Sequence, residues 1–491
     1  MSSTDRHPGR HRQRGQSIIW FLATMAACCC ILALVYNVAQ VSNGKEATTN
    51  GADAAALSGA LVEARMLNFH AYANRAVVAN QVTVAQLTSA DSFLQYTQTL
   101  VQDVATYIEP IPIIGQTVGS AIQTAATGLQ YAEDVYQQVA PAAIQGLEIA
   151  DTELKAAADV AFNSAVPAAS QVSNNIAQAN ATTLVNLGAI LLANQSKWQG
   201  LRGGEDADAV ATLVQESRDP FSTQRDNSDA IEALNTLAKV SGAFTVYPQL
   251  VKSSATTVLK DNNHWEAQDS LDLDTVTCVA PGVLCSDNWA TLPLGYGRTD
   301  ANNDNSQQDQ LCRNFYFSFA EFKLLPTPNC ILAMLSGDNL SWSGIPGLHD
   351  LASRKSTGAP CSKNNVSDSI AVPYVMAVQK QGSSTLTTQR IGFNNVDVPG
   401  PQGSPRMIDN LQNGDNLTSI SEACVFFLRP DGTEQQARAS TVGDLPRHDD
   451  VHELASLYNP YWQARLAAPD PGWIAAVYVL IGKPGLDQAT Q

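Results

Sequence analysis

The chain has 491 residues and a formal net charge of −17 at pH 7, with 44% hydrophobic and 15% charged residues. That length leaves room for two or three domains with substantial cores. The acidity argues against a nucleic-acid binder, which needs a basic footprint, and fits solubility in water beside a membrane.

Positive charge gathers at the start. Arg6, Arg10, Arg12 and Arg14 stand in a leader, residues 1–16, that ends in Gly15-Gln16, and no charged residue occurs from Ser17 to Val41. A bilayer core about 30 Å thick takes roughly 20 apolar residues of helix. Residues 17–41, carrying Ile18, Trp20, Phe21, Leu22, Ile31, Leu32, Leu34 and Val35, are therefore expected to span a membrane once. Arginines on the N-terminal side alone put that end in the cytoplasm and the remainder outside. A cleaved secretory signal has a shorter apolar core, about 7–15 residues, so a retained anchor is expected. Cleavage after Gly15 would remove the leader and keep the span.

A helix start follows over residues 42–60. Gly51, Ala55 and Gly59 recur at four-residue spacing, as do Ala52, Ala56 and Ala60, with Asp53 between. Two neighbouring stripes of small residues let helix backbones approach closely, which predicts a contact with another helix.

Residues 61–240 read as helical and exported. Leu87, Leu94, Val101 and Ile108 recur every seven residues, a seam for helix pairing. Pro110-Ile111-Pro112 before Gly115 is a predicted break, as are Pro141 and Pro167, with a joint at Gly203-Gly204. Helices alternating with such breaks suggest antiparallel hairpins forming a stalk.

Composition shifts between residues 240 and 290, and residues 270–491 read as a β-rich exported domain. Strand candidates are Asn314–Leu325, Ile370–Gln379, Ala423–Arg429 and Trp473–Ile481, with a turn at Pro430-Asp431-Gly432. The polar stretch Asp300–Gln310 reads as a surface loop. The predicted fold class is α+β: a transmembrane helix, a long-helix stalk, then a β-containing head stapled by disulfides. Cys28, Cys29 and Cys30 lie in the span as small hydrophobes. Cys278, Cys285, Cys312, Cys330, Cys361 and Cys424 are confined to the exported C-terminal half and point to disulfides in an oxidising compartment. Of the 15 pairings six cysteines allow, the preferred set is Cys278–Cys285, Cys312–Cys330 and Cys361–Cys424.

Chemical sites are sparse. On a helix His448 and His452 would share a face and could hold a metal with His349 or His264, but the run His448–Glu453 reads first as a solvated acidic turn. Asp300, Asn302 and Asp304 match the first oxygen positions of a calcium loop, while Asn305 and Leu311 replace its Gly and Glu. Ser42 and Lys45 make an isolated Ser-x-x-Lys without companion motifs. The aromatic residues Tyr458, Tyr461, Trp462, Trp473 and Tyr478 read as core. No catalytic residue, metal or cofactor is assigned.

The basic leader, Arg14-Gly15-Gln16, the apolar helix and the run Ala52-Asp53-Ala54-Ala55-Ala56-Leu57-Ser58-Gly59-Ala60 resemble the N-terminal domain of TadE/TadG-like proteins of the Flp (tight adherence, Tad) pilus system. The stretch Leu457-Tyr458-Asn459-Pro460-Tyr461-Trp462-Gln463-Ala464-Arg465-Leu466 is similar to a segment of the same class of exported proteins. Asn37 stands where the family has an acidic residue, and Trp20 where TadE-like pseudopilins have glutamate. The resemblance implies a non-enzymatic, single-pass protein of the bacterial inner membrane with a periplasmic or extracellular domain. It would act as anchor or minor pilin-like subunit among other Tad/Flp assembly proteins, with a route to homo-oligomers through its helices. The alternatives are a tethered metal-dependent hydrolase using His448 and His452, and a surface adhesin or binding module.

Overall fold

A computed structural model describes residues 16–109, 114–225 except 186, 246–303 except 281–283, 337–353, 370–385, 416–427 and 455–480, with short pieces near 231–236, 332, 445–446 and 452–453. Cys312, Cys330, Cys361, the strand candidate Asn314–Leu325 and the turn at Pro430 lie outside the described residues.

One helix, α1 (Gln16–Ile108), takes in both the expected span and the helix start beyond it. No proline or helix-stopping glycine pair interrupts those 93 residues. The chain reverses after Glu109 and returns as α2 (Ile114–Ala179). The two run antiparallel: Asn80 meets Asp151, Gln137 meets Asp91, and Ser173 meets the carbonyl of Ala55. The break at Pro110 is thus real, whereas Pro141 and Pro167 lie inside α2. Each proline removes one helix hydrogen bond. Packing keeps the helix going, because Ala140, Ile144, Ala165, Val166 and Ala169 beside them are fully buried.

Short elements follow: β1 (Thr183–Leu184), α3 (Leu187–Gln199), β2 (Arg202–Asp206), α4 (Ala207–Glu216) and α5 (Pro220–Thr223). Strands begin earlier than composition suggested. β3 (Val246–Asp261), β4 (His264–Ala280) and β5 (Leu284–Asn302) form an antiparallel meander, and β6 (Asp338–Ser341) joins β5 in parallel. The alternation Leu271-Asp272-Leu273-Asp274 is a period-2 signal, but its polar members are buried too. The predicted surface loop at Asp300 is corrected: Asp300 and Asn302 sit in β5, almost wholly buried.

The second sheet has the order β1, β8 (Ala371–Gln381), β9 (Asn416–Phe427), β12 (Trp462–Ala467), all antiparallel. β7 (Leu348–Leu351) pairs with β2, and β10 (Leu445–Pro446) with β11 (His452–Glu453). The C-terminal strand candidate at Trp473 is instead a helix, α6 (Pro471–Leu480). Asp470 caps it: its carboxylate accepts from the Gly472 amide at 2.7 Å and its carbonyl from Trp473 at 2.9 Å, with Pro471 in the first turn.

The two sheets stack along α1 rather than following it as a separate head. Ala56, Ala60, Ala64 and Leu67 share a core with Phe162, Trp198, Tyr374, Met376 and Val425. Farther on, Val77, Val84 and Ala85 share another with Val210, Trp265, Leu340 and Trp342. The helix is a spine built into the folded body, not a stalk beneath it.

Candidate functional site

The small-residue face is the part of the sequence most pointedly built for contact. Gly51, Ala52, Ala55, Ala56, Gly59 and Ala60 are all buried, and Asp53 half-buried, against the same chain. A Cβ on Gly59 would overlap the Tyr374 ring and the Ser173 hydroxyl, and one on Gly51 would stand 3.3 Å from Asn180 Cβ. Ser173 donates to the Ala55 carbonyl at 2.7 Å and lies 3.1 Å from the Tyr374 hydroxyl. Ser421 donates to Asp53 at 2.6 Å. The contact predicted with another helix is therefore filled here by α2, β8 and β9.

The second similar stretch lands on the same helix. Asn68 brackets Trp462, donating to its carbonyl and accepting from its amide, both at 2.9 Å. Asn74 donates to the carbonyls of Leu457 and His349, and Arg75 to that of Tyr458 at 2.6 Å. These polar residues of α1 escaped sequence reasoning. Their only signal is spacing, Asn74 and Arg75 standing six and seven residues, about two helical turns, beyond Asn68.

Glu63 and His70 lie on this buried face without hydrogen-bond partners for Glu63 Oε2 or either ring nitrogen. Burial pushes the Glu63 carboxyl well above its ordinary value. Burial first, then the Arg202 guanidinium, lowers His70 to about 4. The His70 ring is therefore uncharged at neutral pH.

Farther along α1 the buried stripe is polar. Ser89 meets Thr257 at 2.7 Å, Ser92 donates to Asp269 at 2.8 Å, and Gln95 accepts from the Arg298 amide at 3.0 Å. Arg225 pairs with Asp269 at 2.9 Å, both fully buried. A Cβ on Gly297 would strike the Ser92 carbonyl, so only glycine lets β5 approach the helix backbone this closely. The heptad residues Leu87, Leu94 and Val101 are half-buried beside this stripe.

The candidate metal and calcium residues His264, Asp300 and His349 bond to protein partners. His264 bonds Asp300 at 2.9 Å, and Arg298 pairs with the same carboxylate at 3.1 Å, leaving Asp300 committed to protein partners rather than a calcium loop. His349 bonds the Gly203 carbonyl at 2.8 Å and lies 3.5 Å from Glu205. His452 stands in β11 opposite Pro446 on β10. His448 and Asp304 lie outside the described residues. Among the described residues no group of three His, Cys, Asp or Glu side chains could hold a metal. Two hollows remain. A cleft of about 820 Å³ runs between β2, α4 and Tyr458, and an apolar groove of about 620 Å³ lies between Val101 and Ile122.

At the N-terminal end α1 is the one helix among the described residues long and apolar enough to cross a membrane. Its side chains stand bare there, Ile18 at 64% and Trp20 at 73% exposure. No curated protein and no solved structure matches the chain. Residues 15–63, which run from the start of that helix through the small-residue face, match the family described as putative Flp pilus-assembly TadE/G-like.

Proposed function

We propose that this protein is a membrane-anchored component of the Flp/Tad pilus assembly machinery, with a mechanical rather than catalytic task, placed with its leader inside and its folded body outside the bacterial inner membrane. The observation that carries the reading is the match of residues 15–63, a segment that combines the bare apolar helix with the small-residue face. The Gly51–Ala60 face serves to lock the family helix to its own body, since its neighbours there are Tyr374, Ser173 and Asn180. Contacts with other assembly proteins, or with further copies, then fall to the exposed span residues such as Trp20, Phe21 and Leu32.

Disulfides hold the body outside the membrane. Cys278 and Cys285 stand directly opposite each other on β4 and β5. Cys424 is buried in β9, whereas Cys28, Cys29 and Cys30 are free. Non-reducing peptide mapping would display Cys278 joined to Cys285 and Cys424 joined to Cys361.

The test is filament assembly. Cells lacking the chain are expected to form no Flp-type filaments and to regain them with the intact gene; unchanged filaments in its absence would refute the reading. The mass of the N-terminal peptide separates the two roles. A peptide beginning at Gln16 means a processed minor subunit, and an intact leader means a permanent anchor.

A further inference from the structure

Asn37 is the first residue of α1 that the protein itself covers. It lies within the apolar run, yet it is 3% exposed, while Ile31, Leu32 and Val35 just before it are 59, 68 and 58% exposed. A residue covered by the protein's own body has no lipid around it. From Ser17 to Val35 α1 is exposed apart from the half-buried Ala33, and Val38 beyond Asn37 is 57% exposed again. The 20 residues from Ser17 to Tyr36 at 1.5 Å each give roughly 30 Å, the thickness of a hydrocarbon core. Tyr36 then falls at the interface, where aromatic rings collect.

Beyond Asn37 the next buried residue is Gly44. It stands two turns or about 10 Å farther on, and a Cβ there would lie 2.9 Å from Leu417 Cδ1 and 3.5 Å from the Thr385 hydroxyl. Leu417 pairs with Lys380, and Asn416 with Gln381. The end of the β8–β9 pair, with the short turn at Gly382–Ser384, therefore lies at the height of the first turns outside the span. Polar headgroups occupy about 5–8 Å on each side of the hydrocarbon. Ser421 meets Asp53 and Ser419 meets Thr49, so β9 descends towards the span, and Asn416, about 3.3 Å nearer to it than Leu417, comes down to roughly 7 Å beyond Asn37. Lys45, Gln381, Ser384 and Asn416 are exposed at this end and Lys380 is half-buried.

We propose that this end of the β8–β9 pair is a lipid-binding surface: it rests on the phospholipid headgroups, so the body sits on the membrane rather than above it. The inference depends on the reading of residues 17–36 as a span. Its test uses the full chain, with Cys28, Cys29 and Cys30 replaced by alanine, in phosphatidylcholine–phosphatidylglycerol vesicles. A fluorescent label is placed by Ser384→Cys at the turn, by Thr124→Cys far along α2, or by Ala23→Cys in the span. Headgroup-attached spin labels are expected to quench the Ser384 site at least threefold more than the Thr124 site, and acyl-chain spin labels to quench the Ala23 site. Equal quenching at Ser384 and Thr124 with a quenched Ala23 overturns the headgroup seat and leaves the span. An unquenched Ala23 overturns the span reading and the seat together.

Discussion

Asn68 on α1 holds the backbone of Trp462 on β12 from both sides, with its amide nitrogen 2.9 Å from the carbonyl and its oxygen 2.9 Å from the amide. A single side chain thereby continues the edge of a sheet whose other ladder, to β9, is already satisfied. This joins residues 394 positions apart.

Asn68→Ala leaves one half-buried N–H and one C=O of Trp462 unpaired, each costing about 1 kcal/mol or more. The variant is expected to lose about 2 kcal/mol in denaturant unfolding of the detergent-solubilised chain. Asn68→Asp keeps the acceptor and is expected to lose less. Equal stability of Asn68→Ala and the wild type would show the bracket to be incidental.

Gly59 and Gly128 separate packing from propensity on the paired helices. Gly59→Leu drives a side chain into Tyr374 and Ser173, where overpacking costs about 1–3 kcal/mol. Gly128 has nothing within 4 Å of an added Cβ, so Gly128→Ala is expected to stabilise by about 1 kcal/mol through helix propensity. Membrane insertion should survive both substitutions, and filament assembly should fail only for Gly59→Leu. Normal filaments with Gly59→Leu would remove this face from the assembly role.

Carboxylates on the α1–α2 seam carry a pH dependence. Burial raises Asp91 and Asp151 to about 6 and Glu133 to about 7, the last helped by the charges of Asp338, Asp91 and Asp134. The folded form holds these protons more tightly than the unfolded one, so the stability they contribute is complete near pH 4 and is lost as pH rises through 6 to 7. Amide exchange in α1 and α2 is expected to slow as pH falls from 7 to 5, after correction for intrinsic rates. Asp151→Asn, which keeps its place beside Asn80 and Gln81, should flatten the profile; an unaltered profile would sink the assignment.

His70 works in the opposite direction. Its folded value of about 4 lies below the ordinary 6.5, so its contribution is present above pH 6.5 and is lost as pH falls towards 4. His70→Leu removes two buried nitrogens that have no hydrogen-bond partner, and is expected to raise stability by about 1 kcal/mol or more at pH 7. Its gain over the wild type should widen at pH 5. A constant gain between pH 7 and 5 would mean that the ring binds its proton equally well in the folded and unfolded chain.

Several features were legible from residue order because each is a local property. The apolar run of Ser17–Tyr36, the stripes of Gly51–Ala60, the reversal after Pro110 and the apolar strands β8 and β9 all follow from hydropathy, spacing or backbone sterics. Where surroundings decide, local rules misled. Pro141 and Pro167 stay helical because α1 packs beside them. Trp473–Leu480 has the composition of a strand, but Asp470 and Pro471 start a helix there.

The largest reversal concerns polarity. Leu87 and Leu94 of the expected seam are only half-covered, while the polar Gln81, Thr88, Ser89, Asp91, Ser92 and Gln95 beside them are buried. Hydropathy ranks each side chain against water alone. It holds no record of the Thr257, Asp269 and Thr299 side chains that replace that water across distances of 168 to 208 residues. Membrane crossing and helix-forming tendency reside in the chain itself, because they depend on solvent and neighbours in sequence. Which face of α1 is inside was settled by the strands that fold back onto it.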